Sequence, residues 1–283
     1  AASYLKLLGK TVNQVLSTPG RLSYSVAQAS FDAWTRYYRP DENTANATVS
    51  YYTKGSLVAL ALDLALRELP ASGKAHPSLD GVMQRLWQLA RPITEADVAK
   101  ALADEAGRYP QGLQVKSGTP VEQAWQALLD KWTAQCEELP LQHLLDRLGV
   151  AWSSKAAPLP QKWGMRVQEI NGATKVQALM RGGLAERIGL SASDELLALD
   201  GWRIRKVDDL TAWHDAKRAQ ALLICRDQKV VTLTVPALEG KAAARGKTSA
   251  VAPGHASDIV TLSLADVAQA PDKLARRQAW LQA

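Results

Sequence analysis

The residues best suited to chemistry in this sequence are tyrosines. Tyr37-Tyr38-Arg39-Pro40-Asp41-Glu42-Asn43 leads through a polar loop to Ser50-Tyr51-Tyr52-Thr53-Lys54-Gly55, and the most apolar stretch of the chain follows directly. A phenol has an ordinary pKa of about 10, so it keeps its proton at neutral pH. In the first turn of a buried helix it can present that hydroxyl at the helix mouth and stabilise an oxyanion there. The plainer role of a tyrosine at such a position is packing, with its ring inside and its hydroxyl at the boundary.

Other chemistries find less support. The four histidines, His76, His143, His214 and His255, are 67, 71 and 41 residues apart, and no His-Glu-x-x-His occurs. A zinc site made by this chain alone would need long-range convergence. Gly240 to Thr248 ends in Gly246-Lys247-Thr248, but five residues separate its glycines where a phosphate-binding loop has four, and no apolar helix follows. No Gly-x-Ser-x-Gly elbow of a serine hydrolase is present. Thirty-four Lys and Arg against 28 Asp and Glu give a net charge of +6. The excess is spread over both halves without a basic stripe interleaved with aromatics, so a nucleic-acid partner is not expected. Cys136 and Cys225 are 89 residues apart and are expected as free thiols. Their lack of a disulfide framework leans towards a cytoplasmic protein. The longest apolar run, Ser56 to Leu66, is interrupted by Asp63 and falls well short of the roughly 20 residues that span a bilayer.

The elements that must carry the tyrosines are helical. Leu5, Leu8, Val12, Val15 and Leu16 recur at helical spacing, and Thr18-Pro19-Gly20 ends that run. A second helix is expected from Val26 to Tyr38, stopping before Pro40 because the residue ahead of a proline is pushed out of helical geometry. Ser50 to Leu69 is apolar on two faces and so should be buried, with Asp63 and Arg67 paired one turn apart on its polar stripe. Further helices are expected at Leu79 to Leu89, Thr94 to Gly107, Pro120 to Cys136 and Leu141 to Leu148, and Thr94 and Asp97 form a capping box.

After Gly149 the pattern changes to short strands and turns. Strands are expected at Met165 to Ile170, Lys175 to Met180, Glu195 to Leu199, Ala221 to Arg226, Val230 to Val235 and Asp258 to Leu264, with one flanking helix over Val207 to Arg218 and another over Pro271 to Leu281. The fold class is therefore multi-domain α + β. It divides into a helical domain over 1–152, a proline-bearing linker at 153–160, a β domain at 161–238, a flexible loop at 239–257 and a C-terminal strand and helix at 258–283.

The segments from Pro19 to Asn43 and from Val49 to Glu68 resemble the downstream part of the glycyl aminopeptidase family of zinc metallopeptidases, which join a thermolysin-like catalytic domain to a C-terminal PDZ domain. Ala275 to Leu281 is similar to the family's terminus. Tyr52-Thr53-Lys54-Gly55 also resembles the Tyr-Glu-Lys-Gly of related large zinc aminopeptidases, whose tyrosine stabilises the tetrahedral intermediate. The resemblance thus implies Tyr52 as oxyanion donor, with Tyr51 second. It implies zinc in the full-length enzyme, and its ligands and general base would precede Ala1, so this chain holds no cofactor of its own and is expected inactive by itself. The upstream catalytic segment would then be its partner.

Lys162 to Val167, Gly182 to Leu190 and Asp194 to Trp202 are similar to a bacterial PDZ domain. Such domains add a peptide C-terminus beside an edge strand and hold its carboxylate on backbone N–H groups. Here that implies Trp163, Gly164 and Met165, with Leu210, Trp213 and His214 as the side-chain pocket. The expected partners are peptide or protein C-termini, and neither nucleic acid nor membrane. A different class stays open, a non-enzymatic adaptor in which the helical part is scaffold and the PDZ domain recruits partner termini.

Overall fold

Hydroxyl caps start the helices that lead to the tyrosines. Ser25 accepts from the Gln28 N–H while Gln28 accepts from the Ser25 N–H, which opens α2 (Val26–Phe31). Ser50 accepts from the Thr53 N–H at 3.3 Å and opens α4 (Tyr51–Arg67). These bonds satisfy N–H groups that a helix start leaves without partners. The computed structural model describes residues 1–70, 76–108, 118–238 and 258–281. The expected 239–257 loop lies outside these residues.

The helical part comprises α1 (Ala2–Leu16), α2, a single turn α3 (Thr44–Ala47), α4, α5 (Leu79–Gln88), α6 (Glu95–Ala106), α7 (Val121–Thr133) and α8 (Leu141–Arg147). Its core gathers Leu5, Leu8 and Val12 of α1, Leu57, Ala61 and Leu64 of α4, Trp125 and Trp132 of α7, and Leu144, Leu145 and Leu148 around α8. The expected Asp63–Arg67 pair is present at 2.7 Å, and the Thr94–Asp97 box is complete.

Three helices end at least three residues earlier than their sequence pattern predicts, α7 at Thr133 instead of Cys136 and two others by more. The Val26 to Tyr38 helix gives way after Phe31 to a π-helical turn, Ala33–Tyr37, in which the Tyr38 N–H reaches back five residues to the Ala33 carbonyl. The helix expected over Val207 to Arg218 is α11 (Val207–Trp213). Beyond it the Asp215 N–H donates to the Gln220 side chain, so the chain turns there.

The expected linker is a strand. Val150–Ala156 forms β1 and pairs antiparallel with Asp258–Leu264, from Val150 opposite Leu264 to Ala156 opposite Asp258. Ser153, Ser154 and Lys155 read as loop by composition, but on an exposed two-stranded ribbon they need only their backbone. The two prolines that follow start a helix, α9 (Leu159–Trp163), with Pro160 in the first turn, where a missing N–H costs nothing.

Between the two ribbon strands lies an antiparallel sheet: β2 (Met165–Ile170), β3 (Ala173–Leu179), β4 (Glu195–Leu199), β5 (Trp202–Arg203), β6 (Gln220–Arg226) and β7 (Lys229–Val235). Its order is β2-β3-β4-β6-β7, with β5 paired to β4, so β2 is an edge. A turn α10 (Leu184–Arg187) and α11 cover a second core, built on Trp163, Met165, Val176, Leu196, Leu210, Leu222 and Ile224. The Asp200-Gly201 corner between β4 and β5 has positive φ at both residues, +51° and +81°, the geometry of a tight hairpin turn.

The returning strand, β8 (Asp258–Leu264), packs on α1, where the Asn13 amide donates to the Val260 carbonyl and accepts from its N–H, both at 2.8 Å. The final helix, α12 (Pro271–Leu281), is held by Arg67 donating to the Ala279 carbonyl and by Arg277 donating to those of Gly149 and Ala265. Asn46 makes a like bond to the β part: its amide donates to the Leu179 carbonyl and accepts from the Arg181 N–H, both at 2.8 Å. Among the described residues no helix is long and apolar enough to cross a membrane.

The loop ahead of α4 rests on Gly20. A methyl group there would sit 2.3 Å from the Thr48 carbonyl oxygen and 2.6 Å from its nitrogen, both backbone atoms that cannot rotate away. Gly20→Ala should cost about 1–3 kcal/mol, as overpacking does. At roughly 2–4 °C per kcal/mol this is a melting-temperature drop of several degrees by calorimetry; an unchanged Tm would show that the loop yields freely.

Candidate functional site

The first turn of α4 and the π-helical turn place four tyrosines together. Tyr37 lies at the centre, its ring 5.2 Å from Tyr38, 5.3 Å from Tyr51 and 5.8 Å from Tyr52, each edge to face. Tyr51 and Tyr52 are 4.2 Å apart. The Tyr38 hydroxyl stands 3.3 Å from that of Tyr51 and 3.2 Å from that of Tyr52. Tyr52 is 57% exposed, while Tyr51 is half-buried against the helical core. The sequence singles out Tyr51 and Tyr52 but gives Tyr38 no part. Its signal is there in outline, since a second Tyr-Tyr doublet precedes the first across one polar loop.

Hydrogen bonding separates the phenols. The bond with Tyr38, then that with Tyr52, raises the Tyr51 pKa. The bond with Tyr38, then that with Tyr51, lowers Tyr52 below the usual 10.0. A phenol made more acidic donates a stronger hydrogen bond to an anion.

Beside these rings a cavity of about 670 Å³ opens between the two halves of the chain. Tyr37, Asp41, Glu42 and Thr53 line it from the helical side, and Arg166 and Gln177 from β2 and β3. A second cavity, about 630 Å³, is bounded by α1 and α8 and is mostly apolar, with Lys54 at its wall. The first has polar groups on both sides, and of the four phenols Tyr37 alone lines it; Tyr38, Tyr51 and Tyr52 cluster behind that ring and do not line the cavity.

Lys54 is 2% exposed, and its Nζ donates to the Arg21 carbonyl at 3.0 Å. Arg21 in turn pairs with Glu138 at 2.8 Å. The lysine that follows the tyrosines is thus a strut between α4 and the Pro19–Leu22 turn.

In the β part, Trp163, Met165 and Leu210 come together, but as core residues, at 1%, 3% and 0% exposure. The Trp163 ring meets His214 edge to face at 5.2 Å, and Trp213 stacks on Trp202 at 5.0 Å. His214 Nδ1 is 3.1 Å from Gln220 Oε1. Gly164 takes a left-handed φ of +73°, which closes α9 and which a side chain would resist. Its N–H donates to the Gln161 carbonyl and its carbonyl accepts from the Met180 N–H. Of the three N–H groups expected to face a carboxylate, that of Gly164 is therefore already engaged. The far end of β2 is tied too, where Glu169 accepts from the Val207 N–H at 2.7 Å.

No three His, Cys, Asp or Glu side chains gather to hold a metal ion among the described residues, so these residues do not fit a zinc centre.

A helical unit with exposed phenols at the mouth of its buried helix, joined to an antiparallel sheet with a flanking helix, makes an α + β chain. Residues 1–58 match a family described as M61 glycyl aminopeptidase, which bears out the family likeness read from the tyrosine segments. The whole chain is similar in structure to an aminopeptidase N family protein from Idiomarina loihiensis, with 25% identity and a TM-score of 0.72, over 96% of this chain and 43% of that one. This chain thus spans less than half the length of that protein. The PDZ domain of EpsC from Vibrio cholerae is 17% identical, over 26% of this chain and 95% of its own, with a TM-score of 0.23. The HtrA-type protease AlgW with decapeptide is 18% identical, over 44% of this chain and 39% of its own, with a TM-score of 0.22. No curated protein matches the chain.

Burial lowers the Lys54 pKa from 10.5, with the nearby Glu138 opposing. The folded state then releases this proton at a lower pH than the unfolded chain, so this lysine makes stability rise as pH climbs through the folded value to 10.5. Thermal melts of wild type and Lys54→Met across that range should differ by this rise, which the variant lacks. Parallel curves would mean that Lys54 is not desolvated.

Proposed function

We propose that this chain is the C-terminal portion of a zinc-dependent aminopeptidase that removes small N-terminal residues, with Tyr52 as its oxyanion donor and Tyr51 behind it. The metal would be held by residues other than those described. The observation that carries this reading is the exposed Tyr52 phenol at the mouth of α4, backed by the Tyr38 hydroxyl at 3.2 Å. The family match over residues 1–58 supports it.

The chemistry asked of Tyr52 is modest. As water adds to a peptide carbonyl, negative charge builds on the carbonyl oxygen, and a fixed phenol O–H pointing at that oxygen stabilises it without transferring its proton. Asp41 and Glu42, on the same side of the cavity as Tyr37, offer negative charge to an incoming ammonium group. The edge strand β2, flanked by α11, is the place for a peptide C-terminus to add as a further strand.

In the whole protein that carries this chain, Tyr52→Phe should lower kcat about a hundredfold to a thousandfold on a peptide with an N-terminal glycine or alanine. Turnover within about twofold of wild type would remove Tyr52 from the mechanism. For the β part, a peptide with a free apolar C-terminus should shift amide NMR signals of Arg166 to Ile170 and of Trp213 and His214, and its C-terminal amide should not. Shifts elsewhere, or none, would leave the domain a packing module.

A further inference from the structure

We propose that Tyr38 is the positioning residue of this site: its hydroxyl donates to Tyr52 and accepts from Tyr51, a one-way chain of phenols that leaves the Tyr52 proton free for a substrate oxyanion. This rests on the reading of Tyr52 as oxyanion donor and names what orients it.

Proton counting narrows the possible directions, and exposure selects among them. Each phenol has one proton to give and lone pairs to accept with. The Tyr38 hydroxyl lies within bonding distance of both others, at 3.3 and 3.2 Å, so its single proton serves at most one of them and it must accept from the other or from both. Were it to donate to Tyr51, or to accept from both, Tyr52 would have to spend its own proton on Tyr38 and would have none for a ligand. Tyr51 is half-buried against the helical core, whereas Tyr52 is more than half exposed. The proton that reaches solvent is accordingly that of Tyr52, and the order runs from Tyr51 through Tyr38 to Tyr52. The opposite pKa directions of Tyr51 and Tyr52, each with the Tyr38 bond as first cause, match this order. The other phenols are the titratable groups that act on Tyr52, with the Tyr37 ring packed alongside.

The backbone explains how Tyr38 gets there. An α-helix continued from α2 would turn by about 100° per residue. The π-helical turn takes in one more residue before closing, through the Tyr38 N–H and the Ala33 carbonyl at 3.0 Å. Such single π turns are frequent at functional sites. Here it brings the Tyr38 hydroxyl over the first turn of α4, with its ring braced against Trp34 at 5.0 Å.

The test uses this chain, with tyrosine labelled at Cζ, and follows each phenol by NMR during an alkaline titration, the Tyr52 and Tyr51 signals being assigned by loss in Tyr52→Phe and Tyr51→Phe. Wild type should show Tyr52 titrating below Tyr51. In Tyr38→Phe, which keeps the ring, the two should converge towards the ordinary 10.0, while Tyr37→Phe leaves them apart. A Tyr52 titration unmoved by Tyr38→Phe, or Tyr51 titrating first, would overturn the proposal. Circular dichroism of each variant establishes that the fold is intact. In the whole enzyme Tyr38→Phe should lower kcat about tenfold with KM unchanged, the worth of one aligned hydrogen bond. The two readings fail differently. Unchanged turnover in Tyr52→Phe, with the titration shift present, sinks the catalytic role alone. A large loss in Tyr52→Phe, with no effect of Tyr38→Phe on titration or kcat, sinks the positioning role alone.

Discussion

Burial of α4 on both faces is the constraint from which the rest of the molecule follows. Leu57, Ala61 and Leu64 enter the core shared with α1, α7 and α8, and Val58, Leu62 and Ala65 are buried as well. A helix enclosed in this way cannot slide or roll without opening cavities, at a cost of several kcal/mol for each large side chain. Its first turn is therefore a fixed point. Ser50 caps it, Lys54 ties it to the Arg21 carbonyl, and the phenols of Tyr51 and Tyr52 leave it in set directions. Functional groups do best on elements of this kind, since geometry held by a core need not be assembled when substrate arrives.

The two halves of the chain are joined by side-chain amides acting as pieces of backbone. Asn13 bonds the Val260 N–H and carbonyl as a neighbouring strand would, and Asn46 does the same for Leu179 and Arg181. An amide suits this work because it carries donor and acceptor side by side. β1 leads directly through α9 into the PDZ-like sheet, and Asn46 supplies a second attachment between the sheet and the helical part. Two attachments hold the sheet where a single flexible linker would leave it free to turn.

Much of this was legible in the sequence, and the failures have physical reasons. Periodicity marked the long helices because their apolar faces meet a core, and strand boundaries such as Glu195–Leu199 and Asp258–Leu264 agree with the pattern. Ser153 to Ala156 misled because β1 lies on an exposed ribbon, where composition carries no hydrophobic alternation and the partner strand is about a hundred residues away. The π-helical turn is invisible to a 3.6-residue period, which continues smoothly through Ala33 and Tyr37. The same blindness concealed Tyr38, whose place depends on that extra residue. In the β part Trp163, Met165 and Leu210, expected at a peptide groove, stand in the core. Pattern could not tell that Trp163 and Leu210 are consumed by the core, because a groove wall and a core wall call for the same side chains.

Exposure of so many aromatic rings around the phenols bears on how the site is completed. Phe31 and Trp34 are 90% and 80% exposed on the same short segment that carries Tyr37 and Tyr38, and Tyr52 is 57% exposed. Water competes for a phenol's hydrogen bonds, so an oxyanion donor open to solvent is worth far less than one in a dry pocket. In the proposed order the chain of three hydroxyls would partly offset this, because each bond polarises the next and would keep the Tyr52 proton directed outward even in water. In that order orientation is settled within these residues. Dryness is not, and it must come from whatever surface covers the rings when substrate is bound.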